Sequence, residues 1–203
     1  MIEVGHPSHE GTHYLSRALV SYYTYLKMAN NVRLVNDELV IVFGSYAGEG
    51  FHRLNEIAEF LRDHDICAYT VEEYFDAHPK LPRQGSLVDS RYCVDICDAA
   101  IFVFFHPETI GVDDPEILVS LDHGPIIELT HLDESDREIP VQFIFDGINR
   151  RKIVSSLLAN ILSGWVVKTF ADQSIVKEKN ADAVISKMKT SARGFCWSVF
   201  LRT

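Results

Sequence analysis

The sequence predicts an α/β domain: a mostly parallel, five-stranded sheet with helices on both faces. Three observations carry this. Five short runs rich in β-branched and aromatic residues occur along the chain, at Leu39–Phe43, Ile66–Val71, Ala99–Phe105, Pro140–Phe145 and Trp165–Phe170. Stretches with apolar residues at helical spacing alternate with them. The connections are long enough for crossovers between parallel strands, and the chain carries no internal repeat.

Each element follows from its pattern. Residues 1–37 form a helical extension: from Ser8 to Asn31, Leu15, Leu19, Tyr22, Tyr23 and Leu26 share one face. Leu39–Phe43 is a strand that runs into the turn Gly44-Ser45-Tyr46-Ala47-Gly48. Leu54, Ile57, Ala58 and Leu61 mark the next helix, and Ile66–Val71 a second strand. The polar, proline-containing stretch Glu72–Gly85 reads as a loop over one sheet edge, the segment most open to motion. Leu87–Cys97 is a helix leading straight into the buried strand Ala99–Phe105. The long connection His106–Glu138 holds one or two short helices before the strand Pro140–Phe145. Ile153–Ile161 is helical, Trp165–Phe170 the last strand and Ala181–Lys189 a closing helix. The α/β domain thus spans 38–190. A tail, 191–203, carries the apolar run Phe195–Leu201, which must be covered by this domain or by a partner chain.

Composition narrows the function. Over 203 residues, 47% are hydrophobic and 24% charged, with a formal net charge of -10. Phosphate backbones demand clustered Lys and Arg, so nucleic acid is excluded as a partner and a small molecule or protein is expected. No apolar run approaches the roughly 18 residues that span a bilayer. The first residues lack the basic start and apolar core of a secretory signal, so a cytoplasmic protein is expected. Four scattered cysteines make no disulfide framework; Cys93 and Cys97, four apart on a helix, read as buried thiols in a reducing compartment. Tyr22, Tyr23 and the apolar tail together point to a homodimer or higher homo-oligomer.

Three stretches are candidates for chemistry. His9-Glu10-Gly11-Thr12-His13 matches the zinc pattern H-E-x-x-H literally, but a glycine inside it and Pro7 before it suit a polar helix start better. Gly44-Ser45-Tyr46-Ala47-Gly48, between strand and helix, allows backbone to approach a ligand; an ordinary strand-to-helix turn explains it equally well. Asp122-His-Gly-Pro-Ile-Ile-Glu128-Leu129 lies between two buried strands, where open α/β sheets hold their ligands. Ile126, Ile127 and Leu129 flank Glu128, so its carboxyl borders an apolar environment that raises its pKa or leaves a reactive anion. A helix from about Pro125 would put Glu128 in its first turn, where balancing the helix dipole is the competing explanation.

The order of these pieces resembles the nucleoside 2-deoxyribosyltransferase-like superfamily, which includes 2'-deoxynucleoside 5'-phosphate N-hydrolases and is akin to TIR-type NAD hydrolases. The likeness runs from about Leu39 to Met188 and lies in the turn Gly44-Ser45 with Gly48, the junction Cys97-Asp98, the spacing of Asp122, Gly124 and Glu128-Leu129, and Trp165–Phe170 with Ala171-Asp172. It implies a Rossmann- or flavodoxin-like fold, an N-glycosidic hydrolase or transferase, and a nucleoside or nucleotide substrate. It makes Glu128 the nucleophile toward C1', with Glu116 a competing candidate in the longer His106–His123 insertion. A second acid to serve the leaving base would be Asp122 or Asp89; the family's usual position, eight residues before Asp98, is here Ser90. Gly44, Ser45, Tyr46, Gly48 and Gly124 would bind substrate. No cofactor and no metal are expected. A non-catalytic nucleotide sensor of the same fold and a TIR-like NAD hydrolase are the alternatives.

Overall fold

The computed structural model describes residues 38–114, 123–135, 137–146, 171–176, 178 and 180–200. In chain order these form β1 (Val40–Gly44), α1 (Gly50–Arg62), β2 (Ala68–Thr70), α2 (Val71–Ala77), α3 (Ser86–Ile96), β3 (Ala99–Phe104), a 3-10 turn (Pro107–Ile110), α4 (His123–Glu134), β4 (Val141–Asp146), β5 (Ala171–Val176) and α5 (Ala181–Phe200). The strands lie in the order β2-β1-β3-β4-β5, and every neighbouring pair is parallel.

Side chains alternate across a strand, so β1, β3 and β4 each feed two cores. Ile41, Phe43, Phe102, Phe104, Phe143 and Phe145 pack beneath α2, α3 and α4 with Tyr92, Leu129 and Leu132. Val40, Val42, Ile101, Val103 and Ile144 pack beneath α1 and α5 with Leu54, Ile57, Val184 and Met188. Covering both faces makes a three-layer domain and explains why these strands are almost wholly apolar. The first core has a spine of rings. Phe43 stacks on Phe102 at 5.0 Å between centroids and Phe102 on Phe143 at 5.9 Å, and each pair is also a register pair of adjacent strands.

Polar groups lock the joints. Asp98, directly after α3, accepts the Leu39 N–H at 2.8 Å while its own N–H donates to Leu39 O at 2.7 Å, so the helix end is tied to the start of β1. Arg137 donates to Val94 O and Cys97 O at 2.6 and 2.8 Å, satisfying carbonyls that the end of α3 leaves open. His131 Nε2 on α4 meets Asp95 Oδ1 on α3 at 3.0 Å, fastening these two helices.

The structure departs from the sequence reading in several places. The stretch from Glu72 is not a loop from its start: Val71–Ala77 is helical, capped by Thr70, whose side chain accepts from Glu73 N–H while the Glu73 carboxylate accepts from Thr70 N–H. Arg62 grips the same carboxylate through both oxygens, at 2.7 and 3.0 Å. That Thr-x-x-Glu box was the local signal, hidden by the proline-rich composition that follows. The last described strand is Ala171–Val176, so Ala171-Asp172 opens a strand. Its polar sequence suits an edge, where backbone pairing to β4 rather than an apolar pattern defines the strand. The closing helix is longer than Ala181–Lys189: α5 continues to Phe200, with Ala192, Phe195 and Cys196 buried at helical spacing. The N-terminal extension, the helix read at Ile153–Ile161 and the run Trp165–Phe170 lie outside the described residues. Among the described residues no helix is long and apolar enough to cross a membrane.

Phe102 sits fully buried at the centre of the ring spine. Truncation to alanine is expected to cost about 3–5 kcal/mol, read as a lower midpoint in urea unfolding with an unchanged slope.

Candidate functional site

The crossovers from β1 and to β3 leave the sheet on opposite faces, α1 on one and α3 on the other. Such a reversal opens a crevice beyond the strand ends. There the protein has a cavity of about 330 Å3, lined by Gly44, Ser45 and Tyr46 after β1, by Ser86, Leu87 and Ser90 of α3, and by Gly124, Ile127 and Glu128 of α4. Its size falls at the lower end of small-molecule sites.

Gly44 is forced by packing. A Cβ there would come within 2.7 Å of Leu54 Cδ2 and 3.0 Å of Val103 O, so only glycine lets β1 end this close to its neighbours. Beyond it, Ser45 Oγ accepts the Ala47 N–H at 3.3 Å and shapes the turn. Tyr46 is 38% exposed, yet burial of its hydroxyl and the nearby Glu128 carboxyl push its pKa up, so it serves as a neutral phenol.

Glu128 is the unusual group. It is 8% exposed, and its Oε2 is buried without a hydrogen-bond partner. Desolvation raises its pKa from the ordinary 4.5 to about 7, while the Ser90 hydroxyl acts in the opposite sense. Helix α4 begins at His123, so Glu128 lies in the second turn, not the first, and dipole balance does not explain it. Its own neighbour Leu129 is fully buried and Ile127 exposed, which places Glu128 at the border of the core.

The expected residues do not all converge. Gly44, Ser45, Tyr46, Gly124 and Glu128 do line one cavity. Gly48 does not. It has φ +51°, and a Cβ would lie 2.2 Å from Ile110 O; Glu49 N–H donates to that same carbonyl at 2.8 Å. This glycine seats the turn on the 3-10 segment and is structural. Asp89 is also absent from the lining: it is buried, and its Oδ1 accepts the Gln84 N–H at 3.0 Å ahead of the helix. Of this adjacent pair, Ser90 lines the cavity and Asp89 does not. Ser86 precedes it by one turn, so the two serines form a helical i, i+4 pair on the cavity side, a spacing visible in the sequence. Asp122, Glu116 and the His9–His13 motif lie outside the described residues.

Cys93 and Cys97 are both fully buried and free. Burial pushes the Cys97 thiol up to about 12 and Cys93 well above its usual range, so neither is a nucleophile at neutral pH. Among the described residues no three His, Cys, Asp or Glu side chains are grouped to hold a metal. A larger hollow, about 640 Å3, lies at the other end of the strands, beside Glu38 ahead of β1 and Cys67 ahead of β2. Its Arg62 is bound to Glu73, and its His64 bonds Phe60 O at 2.8 Å and Arg193 at 2.9 Å, so these two groups serve the fold.

Two outcomes follow. Gly48→Ala should destabilise by about 2 kcal/mol or more, through positive φ and the clash, whereas Gly124→Ala, with nothing within 4 Å of its new methyl, should unfold like wild type. Because the folded-state pKa of Glu128 lies above its unfolded value, the proton it holds stabilises the fold at low pH. That contribution is lost as pH rises from 4.5 to about 7, on the order of 3 kcal/mol in all. Glu128→Gln does not titrate. Denaturation at pH 8 should therefore find it more stable than wild type, with the gap closing toward pH 4.

Compared with models of known protein families the chain matches none, and no curated protein matches it significantly. The chemistry must be read from the side chains themselves.

Proposed function

We propose that this chain breaks an N-glycosidic bond of a nucleoside or nucleotide, as a hydrolase or transferase, with Glu128 as nucleophile. The observation that carries this reading is the desolvated Glu128 carboxyl bordering a cavity at the sheet's reversal point. The strand order is that of flavodoxin-like sheets, consistent with a place in the nucleoside 2-deoxyribosyltransferase-like superfamily.

In the reaction, C1' develops positive charge as the base departs, and an adjacent anion in low dielectric stabilises that charge strongly. Glu128 forms a bond to C1' as the C1'–N bond breaks. The base nitrogen takes the bonding pair and a proton, which this reading assigns to Asp122, immediately before α4 in the sequence. Water then releases the sugar, or a second base accepts it. Ser45, Tyr46 and Ser86 are neutral hydrogen-bonding groups suited to sugar and base, and the exposed face of Tyr46 suits stacking. No step calls for a metal or cofactor. The compartment assigned is a reducing cytoplasm, in keeping with four free thiols, and self-association belongs to the same proposal, with Trp197 (45% exposed) on the surface of α5.

A second reading has its own support. Glu128 is the single carboxylate lining the cavity among the described residues. A pyridinium base leaves neutral and needs no proton donor, so TIR-like cleavage of NAD suits this set of groups. A nucleotide sensor without turnover would use the same cavity for binding alone.

Release of free base from a panel of nucleosides, nucleotides and NAD decides among these. Glu128→Gln should lower turnover at least about a hundredfold while the variant stays folded. As a nucleophile Glu128 must be ionised, so kcat/KM should rise with pH through about 7 and then level off. Nicotinamide release would select the NAD reading. Ligand-dependent rise in Tm without any released base would select sensing, and no response to any compound would end all three.

A further inference from the structure

We propose that the hollow of about 640 Å3 beside the starts of β1 and β2 is a docking groove for the chain's own N-terminal extension, which seats the apolar side of residues 15–26 there. The inference is independent of the chemistry assigned to Glu128. Two polar groups of the hollow, Arg62 and His64, are engaged within the domain. Much of what stays open is apolar. Ile66, Cys67, Tyr69 and Phe200 are each partly exposed, and Trp197 remains exposed although the Arg193 guanidinium covers its ring at 4.8 Å. The exposed acids Glu38 and Asp65 stand beside them. Apolar side chains gathered in one hollow and flanked by charge suit another chain segment.

Glu38 points to the occupant. It lines the hollow, and through it residues 1–37 join the domain. The sequence of that extension supplies the complement. At helical spacing Leu15, Leu19, Tyr22 and Leu26 fall on one side, at i, i+4, i+7 and i+11, with Arg17 and Thr24 on the other. This is the anchor pattern of a helix laid in a groove, and such a stripe is stable in water when its apolar side is buried. From Leu15 to Leu26 the stripe would be about 16 Å long. Asn31 is seven residues from Glu38, at most about 25 Å of extended chain. So short a tether keeps the stripe at a local concentration on the order of millimolar, far above that of a second copy in dilute solution. Self-association through the open hollow is the rival, and dilution separates the two.

Cys67, partly exposed on the wall of the hollow, is a built-in reporter. Its alkylation by iodoacetamide is followed in the full chain by peptide mass spectrometry. Leu19→Glu and Leu26→Glu should speed alkylation of Cys67 about tenfold by releasing the extension, while Thr24→Glu on the opposite side leaves the rate unchanged. Cys93 and Cys97, buried in the core, should stay as slow in every variant as in wild type, which shows that the domain remains folded. Reciprocally, Trp197→Glu, a change at an exposed position, should speed amide hydrogen exchange across residues 15–26 by a similar factor. Wild-type protection of Cys67 should persist through a hundredfold dilution. Equal Cys67 rates in wild type and both leucine variants would overturn the proposal, as would unchanged exchange across 15–26 in Trp197→Glu. Protection that disappears on dilution, together with a mass of two chains at high concentration, would assign the hollow to a second copy instead.

Discussion

A parallel sheet covered on both faces has no wet surface of its own, and this constraint arranges everything else in the molecule. The inward residues of β1, β3 and β4 are committed to two cores, with the phenylalanine spine on one side and smaller aliphatic residues on the other. Polar chemistry is left with the strand ends. The reversal between β1 and β3 then selects one of those ends, because α1 and α3 depart to opposite faces and leave a gap beyond Gly44. Glycine at that point is a consequence of β1 running tightly between Leu54 and Val103.

Within the gap, the cost and the use of Glu128 have the same origin. Packing α4 on α3 removes the carboxyl from water, which disfavours its charge and leaves Oε2 unpaired. Under the proposed function, an anion with few competing contacts would be a good electrostatic partner for a cationic sugar carbon. The groups around it are neutral or acidic, so the balance between charged and uncharged Glu128 is set close to neutrality by desolvation against one hydroxyl.

Several motif residues prove to serve architecture. Asp98 ties α3 to the start of β1, and Gly48 seats the turn on the 3-10 segment at Ile110. Both still bear on the site, since each fixes an element that lines it. Their spacing in the chain therefore reflects how the crevice is built more than what touches a ligand.

The apolar runs, the helical periodicities and the alternation between them determined the architecture, because burial on both faces writes itself directly into composition. Glu128 was legible for the same reason: a lone acid among Ile126, Ile127 and Leu129 has to sit at the edge of a core. Where local bonding outweighed composition, the reading slipped. The Thr70–Glu73 box made a helix of a stretch that looked like loop, β5 took a polar segment as an edge strand, and α5 ran on through the tail. The choice between Asp89 and Ser90 was beyond any one-dimensional pattern. Adjacent residues on a helix differ by about 100° in direction, and only the rotation of α3 against its neighbours decides which of them lines the cavity.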